Sequence, residues 1–118
     1  IIEGKRFADV VAIGSNPIPG YPEPTGGQRR FFLKHVGYDI PYRCLVPKDV
    51  DGLLTSGRCI SHDSLAAQSS RAMATCMAIG HASGAAAALA ATSNLPPRRV
   101  PVKRLQELLL DQKAELRM

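Results

Sequence analysis

Apolar positions cluster in short extended runs over the first half of the chain and recur at helical spacing over the second. Over 7–13, Phe-Ala-Asp-Val-Val-Ala-Ile, β-branched residues gather and stop at Gly14, which predicts a strand. Residues 14–30 hold Pro17, Pro19, Pro22 and Pro24 with Gly20, Gly26 and Gly27, a density of breakers that predicts an irregular loop. A short strand is expected over 31–36. Another is expected over 38–46, interrupted by Pro41 as an edge strand tolerates and closed by Pro47. After a turn at 48–52, Leu53-Leu54-Thr55-Ser56 reads as a short buried strand that stops at Gly57.

From there the period becomes helical. Ser61 or Asp63 is placed to cap a helix over 63–72. Thr75 or a neighbour is placed to cap a second over 75–91, which Asn94 and Pro96-Pro97 end. Alanine, the best helix former, dominates this stretch. Gly80, Ser83, Gly84 and Ala87 fall on one face and make it flat, which predicts close packing against another element. After Pro-Pro-Arg-Arg, residues 102–116 are amphipathic, with Val102, Leu105, Leu108, Leu109 and Leu116 on one side. Short strands followed by a C-terminal group of helices predict an α/β fold.

Length and composition narrow this picture. The 118 residues suffice for one small domain. Apolar residues at 45% and charged residues at 21% exclude a wholly disordered chain. Without Trp and with 5% aromatics, the core must rest on Ala, Leu, Val and Ile. The net charge of +5 is scattered in pairs such as Arg29-Arg30 and Arg98-Arg99, not drawn into a stripe with interleaved aromatics. No nucleic-acid partner is expected. Residues 72–97 carry no charge, and Gly80 and Gly84 have the spacing of membrane helix pairs. The stretch is poor in the large apolar side chains that drive insertion, and no membrane partner is expected.

Cys44, Cys59 and Cys76 are odd in number and widely spaced, which argues against a disulfide framework and a CxxC metal site. Reduced thiols in a cytoplasmic protein are the expectation. Cys59 and His62 lack further ligands nearby, so no metal is expected. The segment Ile1-Ile2-Glu3-Gly4-Lys5 has no secretory apolar core, and the missing initiator Met suggests a portion or processed product of something larger. There is no internal repeat, no GxGxxG after a strand and no GxxxxGK[ST].

Chemistry concentrates after residue 53. Gly57 leaves room for a ligand or a second backbone. Two helix starts follow, and helix starts offer free N–H groups and partial positive charge. Tyr42 and Arg43 are the candidates for substrate contact, since a guanidinium grips a carboxylate bidentately; half-buried packing is the other reading of the pair. His35 is a weaker proton-transfer candidate. Arg71 and Cys76 are assigned structural roles.

Three ordered blocks resemble a family of FAD-dependent oxidoreductases. They are Tyr38-Asp39-Ile40-Pro41-Tyr42-Arg43-Cys44-Leu45-Val46-Pro47, then residues 50–61 ending Thr55-Ser56-Gly57-Arg58-Cys59-Ile60-Ser61, then the Ala-rich stretch from Ser69 through Arg71, Met73, Thr75, Gly80 and Gly84 to Ala90. Residues 10–19 are similar to a strand and turn of an intervening domain, and the likeness covers about 7–116. His62-Asp63-Ser64 and His81-Ala82-Ser83-Gly84 depart from the family's Ala-Thr-His-Glu and Gln-Ala-Ala-Gly. The family's opening strand, GxGxxG and helix, which hold the ADP half of FAD, are not among these residues, so the likeness is to a C-terminal portion.

The resemblance implies a division into 1–47 on the substrate side, 48–95 completing the FAD-binding domain, and a helix over 96–118. It implies FAD as cofactor, with Gly57 and Arg58 beside the ribityl and pyrophosphate and Ser61 bonded to the ribityl chain. Ala74, Thr75, Cys76 and Met77 would form the helix start that faces flavin N1 and the C2 carbonyl. It further implies hydride transfer between flavin and a small organic substrate. These residues alone would be inactive, and in isolation prone to self-association. The alternative reading is a non-catalytic basic α/β interaction module that binds through its helices.

Overall fold

A computed structural model describes residues 1–116, and the side chains of all of these except 21, 22 and 28–31. Four strands are present: β1 (Val10–Gly14), β2 (Ile18–Glu23), β3 (Gly27–Phe31) and β4 (Tyr38–Pro41). They form two antiparallel pairs, β1 with β4 and β2 with β3. In the first, Ala12 lies opposite Ile40 and Gly14 opposite Tyr38. That last pairing requires glycine, because a Cβ at 14 would stand 2.4 Å from the Tyr38 ring.

The β2–β3 hairpin corrects the expectation of an irregular loop over 14–30. Gly26 N–H donates to the Glu23 carbonyl at 3.1 Å, closing a turn with Pro24 at its second position. Gly26 then adopts φ +79°. A turn ended by a left-handed glycine is a common three-residue hairpin connection. In a two-stranded ribbon every strand is an edge, so prolines are tolerated where a central strand would reject them. The short strand expected over 31–36 is absent past Phe31. The strand expected over 38–46 ends at Pro41 and gives way to a helical turn at Tyr42–Cys44.

The helices are α1 (Ser64–Ser70), α2 (Met73–Thr92) and α3 (Val102–Asp111). The helix expected over 96–118 is thereby corrected to 102–111, preceded by a single turn at Pro97–Arg99 and ended before Lys113, whose φ of +64° breaks the helix. Asp63 caps α1 by accepting from the Ala66 amide at 2.7 Å. α2 packs on β1 and α3, and α1 packs on β2. The core runs through residues from all of 10–109, with Val11, Ile40, Leu45, Ile79, Ala82, Ala86, Leu105 and Leu109 buried together. The three segments into which the resemblance divided the chain thus share one core.

Two expectations about the central region are corrected. Residues 53–56 form no strand, and Leu53 is 49% exposed. The segment is extended at Ser56 (φ −145°, ψ 161°) and is anchored by the Thr55 N–H on the Leu45 carbonyl at 2.8 Å. It has strand character without a strand beside it among the described residues, so no ladder forms. Likewise, the small-residue face of α2 is not close-packed. Gly80 meets only Ser56 Oγ at 3.9 Å, and nothing lies within 4 Å of a Cβ built at Gly84. The core takes the adjoining face instead, through Ile79, Ala82, Ala86 and Ala90. By length and composition α2 is apolar enough to cross a membrane, with 33% of its most apolar window buried within the fold.

Candidate functional site

Between Leu45 and Ser61 the chain folds back on itself. The Thr55 amide meets the Leu45 carbonyl, and the Ser61 amide meets the Cys44 carbonyl at 2.8 Å. At the tip, Gly57 takes φ +58° and opens a single helical turn, Gly57–Cys59. That conformation strains any residue with a Cβ. Arg58 follows directly, and its Nε donates to the Arg71 carbonyl at 3.3 Å, tying the turn to the junction between α1 and α2.

α2 starts two residues before the sequence pattern suggests. Its cap is Ala72, with no side chain accepting from the first turn, and the Cys76 amide already bonds the Ala72 carbonyl at 2.9 Å. The free donors are therefore the amides of Met73, Ala74 and Thr75, at the positive end of a 20-residue helix. Beside them opens a cleft of about 530 Å³ whose walls include Asn16, Pro19, Arg58, Gln68, Arg71 and Met73. Among the described residues no carboxylate lines it.

The other expected site residues distribute as follows. Gly57 and Arg58 stand at the cleft's turn. Ala74 is exposed on the first turn of α2. Thr75 contributes its amide there, but its side chain is buried beside the Tyr38 hydroxyl. The Cys76 amide belongs to the helix ladder, and its Sγ donates to the Ser70 carbonyl at 3.6 Å. Met77 lies 75% exposed one turn along. Ser61 lines a separate pocket of about 230 Å³ with His62 and Ser70, where Ser70 Oγ and His62 Nδ1 are 3.0 Å apart.

Tyr42 and Arg43 are engaged elsewhere. Tyr42 is buried and donates its hydroxyl to the Pro97 carbonyl at 2.7 Å. Arg43 pairs with Asp9 at 2.6 Å and stacks on Phe7, its Cζ 4.8 Å from the ring centroid. His35 is exposed and lines none of the pockets described. Among the described residues no group of three or more metal-ligating side chains converges.

The cleft also brings in Arg71, Gln68 and Asn16, which the sequence pattern did not place at the cofactor. For Arg71 a signal existed: the positions three and four away, Ala67, Gln68, Ala74 and Thr75, offer no carboxylate. For Asn16 none did. It reaches the cleft because β2 packs on α1 and Ser69 Oγ donates to the Asn16 carbonyl. Ser69 also holds the Tyr38 hydroxyl at 2.7 Å, and burial pushes that phenol above its ordinary range, so Tyr38 stays neutral.

Residues 1–109 match the family model described as FAD dependent oxidoreductase. The chain belongs to that family. Comparison with curated proteins and with solved structures returns no match. FAD is the family's cofactor, and the cleft suits part of it. Free amides at a helix start and the Arg58 guanidinium, with no opposing carboxylate among the described residues, complement the electron-rich edge of a flavin and a phosphate. The glycine at 57 lets backbone approach closely. The volume suits a portion of the cofactor within the usual range of ligand sites.

Proposed function

We propose that these residues form the flavin-side, C-terminal portion of a longer FAD-dependent oxidoreductase acting on a small organic substrate. The observation that carries this reading is the uncapped start of α2 beside the Gly57–Arg58 turn, within a family match of residues 1–109. When bound, FAD exchanges two electrons with the substrate, accepting or returning a hydride. The chain's own part is electrostatic and positional. The amides of Met73, Ala74 and Thr75 stabilise negative charge at the flavin's pyrimidine edge. Arg58, fixed by its bond to the Arg71 carbonyl, offers its remaining N–H groups to phosphate.

The test is flavin retention in the full enzyme. Purified wild-type protein is expected to carry flavin absorbance bands, and Arg58→Ala to lower the flavin-to-protein ratio without changing far-UV circular dichroism. Wild-type protein that purifies colourless and stays so after FAD is added rules the reading out.

A further inference from the structure

The flavin cleft contains a cation that nothing in the described fold neutralises. Arg71 lies exposed at the end of α1, its backbone carbonyl accepting from Arg58, while its guanidinium makes none of the ion pairs that engage Arg6, Arg43 and Arg98. It shares the cleft wall with Arg58, with two neutral residues that carry amide side chains, Gln68 and Asn16, and with Pro17, Pro19 and Met73. An unpaired guanidinium, neutral amides and an apolar wall together suit one kind of molecule. The guanidinium fork matches a planar carboxylate through two parallel N–H···O bonds. The amides serve an adjacent hydroxyl or carbonyl, and the prolines and Met73 cover a short carbon skeleton.

Resting on the flavin reading above, we propose that Arg71 is the specificity-determining residue that recognises the carboxylate of a small organic-acid substrate. Phosphate shares the oxyanion chemistry and has a second possible source in the cofactor itself. Two features favour the carboxylate. Arg58 lines the same cleft, but its Nε is held by the Arg71 carbonyl at the Gly57 turn, whereas the Arg71 guanidinium has no such partner among the described residues. Beside Arg71, Gln68 and Asn16 are uncharged, which suits a singly charged carboxylate with a neighbouring hydroxyl or carbonyl.

The experiment uses the FAD-loaded enzyme, wild type and Arg71→Gln, with Arg71→Lys as a variant that keeps the charge but loses the fork. Flavin content is measured first. Sodium acetate, sodium succinate and inorganic phosphate are then titrated separately while the flavin absorbance is followed, and succinate is titrated calorimetrically as a readout that needs no flavin. The expected result is equal flavin content in all three proteins, with succinate or acetate binding to wild type. Loss of a charged hydrogen bond should weaken that binding about ten- to hundredfold in Arg71→Gln, and Arg71→Lys should fall between. Carboxylate affinity unchanged in Arg71→Gln, with flavin retained, overturns the inference. So does loss of flavin in Arg71→Gln alone, which assigns Arg71 to the cofactor and leaves the flavin reading standing. Wild-type protein without flavin defeats the flavin reading separately, and calorimetry then still reports whether Arg71 holds a carboxylate.

Discussion

Arg43 shows how a side chain's chemistry and its use separate. Its guanidinium suits a substrate carboxylate, but a nearer carboxylate, Asp9, takes it at 2.6 Å and the Phe7 ring takes its face. Arg71 has the same chemistry and no such neighbour among the described residues, which is the ground for the carboxylate site proposed above. Tyr38, Tyr42 and Cys44 carry a different consequence. Burial is the largest influence on each and raises the phenols above their ordinary 10.0 and the thiol above its ordinary 9.0. A raised value in the folded state means the unfolded chain releases its proton first. The stabilisation is therefore complete below about pH 9 and is lost as pH rises through 9 and 10 and on through the higher folded values. Denaturant titrations from pH 7 to 11 are expected to show a flat region and then a fall. Tyr42→Phe, with one ionisable phenol fewer, should fall less steeply.

α2 is apolar on every side, a pattern that belongs to a helix enclosed by protein. Here one face is enclosed and the Gly84 face is open, beside an extended segment, 53–56, that lacks a paired strand. Both are unpartnered surfaces among the described residues. The two glycines of this region should therefore respond oppositely to alanine. Gly84→Ala meets nothing within 4 Å and is expected to stabilise the 118 residues by up to about 1 kcal/mol through helix propensity. Gly57→Ala forces a Cβ into φ +58° and should cost about 1–2 kcal/mol. Paired thermal melts measure both. Gly84→Leu extends the comparison: tolerated here, it should cost about 1–3 kcal/mol wherever another segment covers that face.

The molecule as a whole is elongated, 53 × 29 × 21 Å, and its cleft is a shallow site on one flank of a small core. FAD is a long ligand that needs its adenine, pyrophosphate and flavin held together. The described residues offer FAD a helix start and Arg58. Helix-end contacts contribute about 0.3–1 kcal/mol each when exposed. Immobilising a ligand costs on the order of 4–15 kcal/mol. The 118 residues by themselves are thus expected to bind FAD more weakly than micromolar, or not at all. Flavin fluorescence or calorimetry on the purified chain checks this, and a stoichiometric complex of micromolar affinity would show that the site is complete within it.

A cap, composition and one periodic stripe were enough to find the three helices, because Asp63 caps one, alanine fills the next, and Leu105 and Leu109 mark the buried stripe of the last, although its end at Asp111 falls short of the expected 116. The ordered blocks at Tyr38–Pro47, around Gly57 and from Ser69 to Ala90 were enough for the family. The β2–β3 hairpin escaped such reading because Pro17 to Pro24 break most elements and are harmless only in a two-stranded ribbon, a fact about neighbours. The failure of 53–56 to become a strand has the same cause: a ladder needs a partner, and composition cannot supply one. The cleft, too, depended on folding. Asn16 and Arg71 stand far apart along the chain, and they line one cavity only because Ser69 bonds the Asn16 carbonyl and β2 rests on α1. Local pattern encodes which elements form; which groups meet, and which charge is left unpaired, depends on packing between residues distant in sequence.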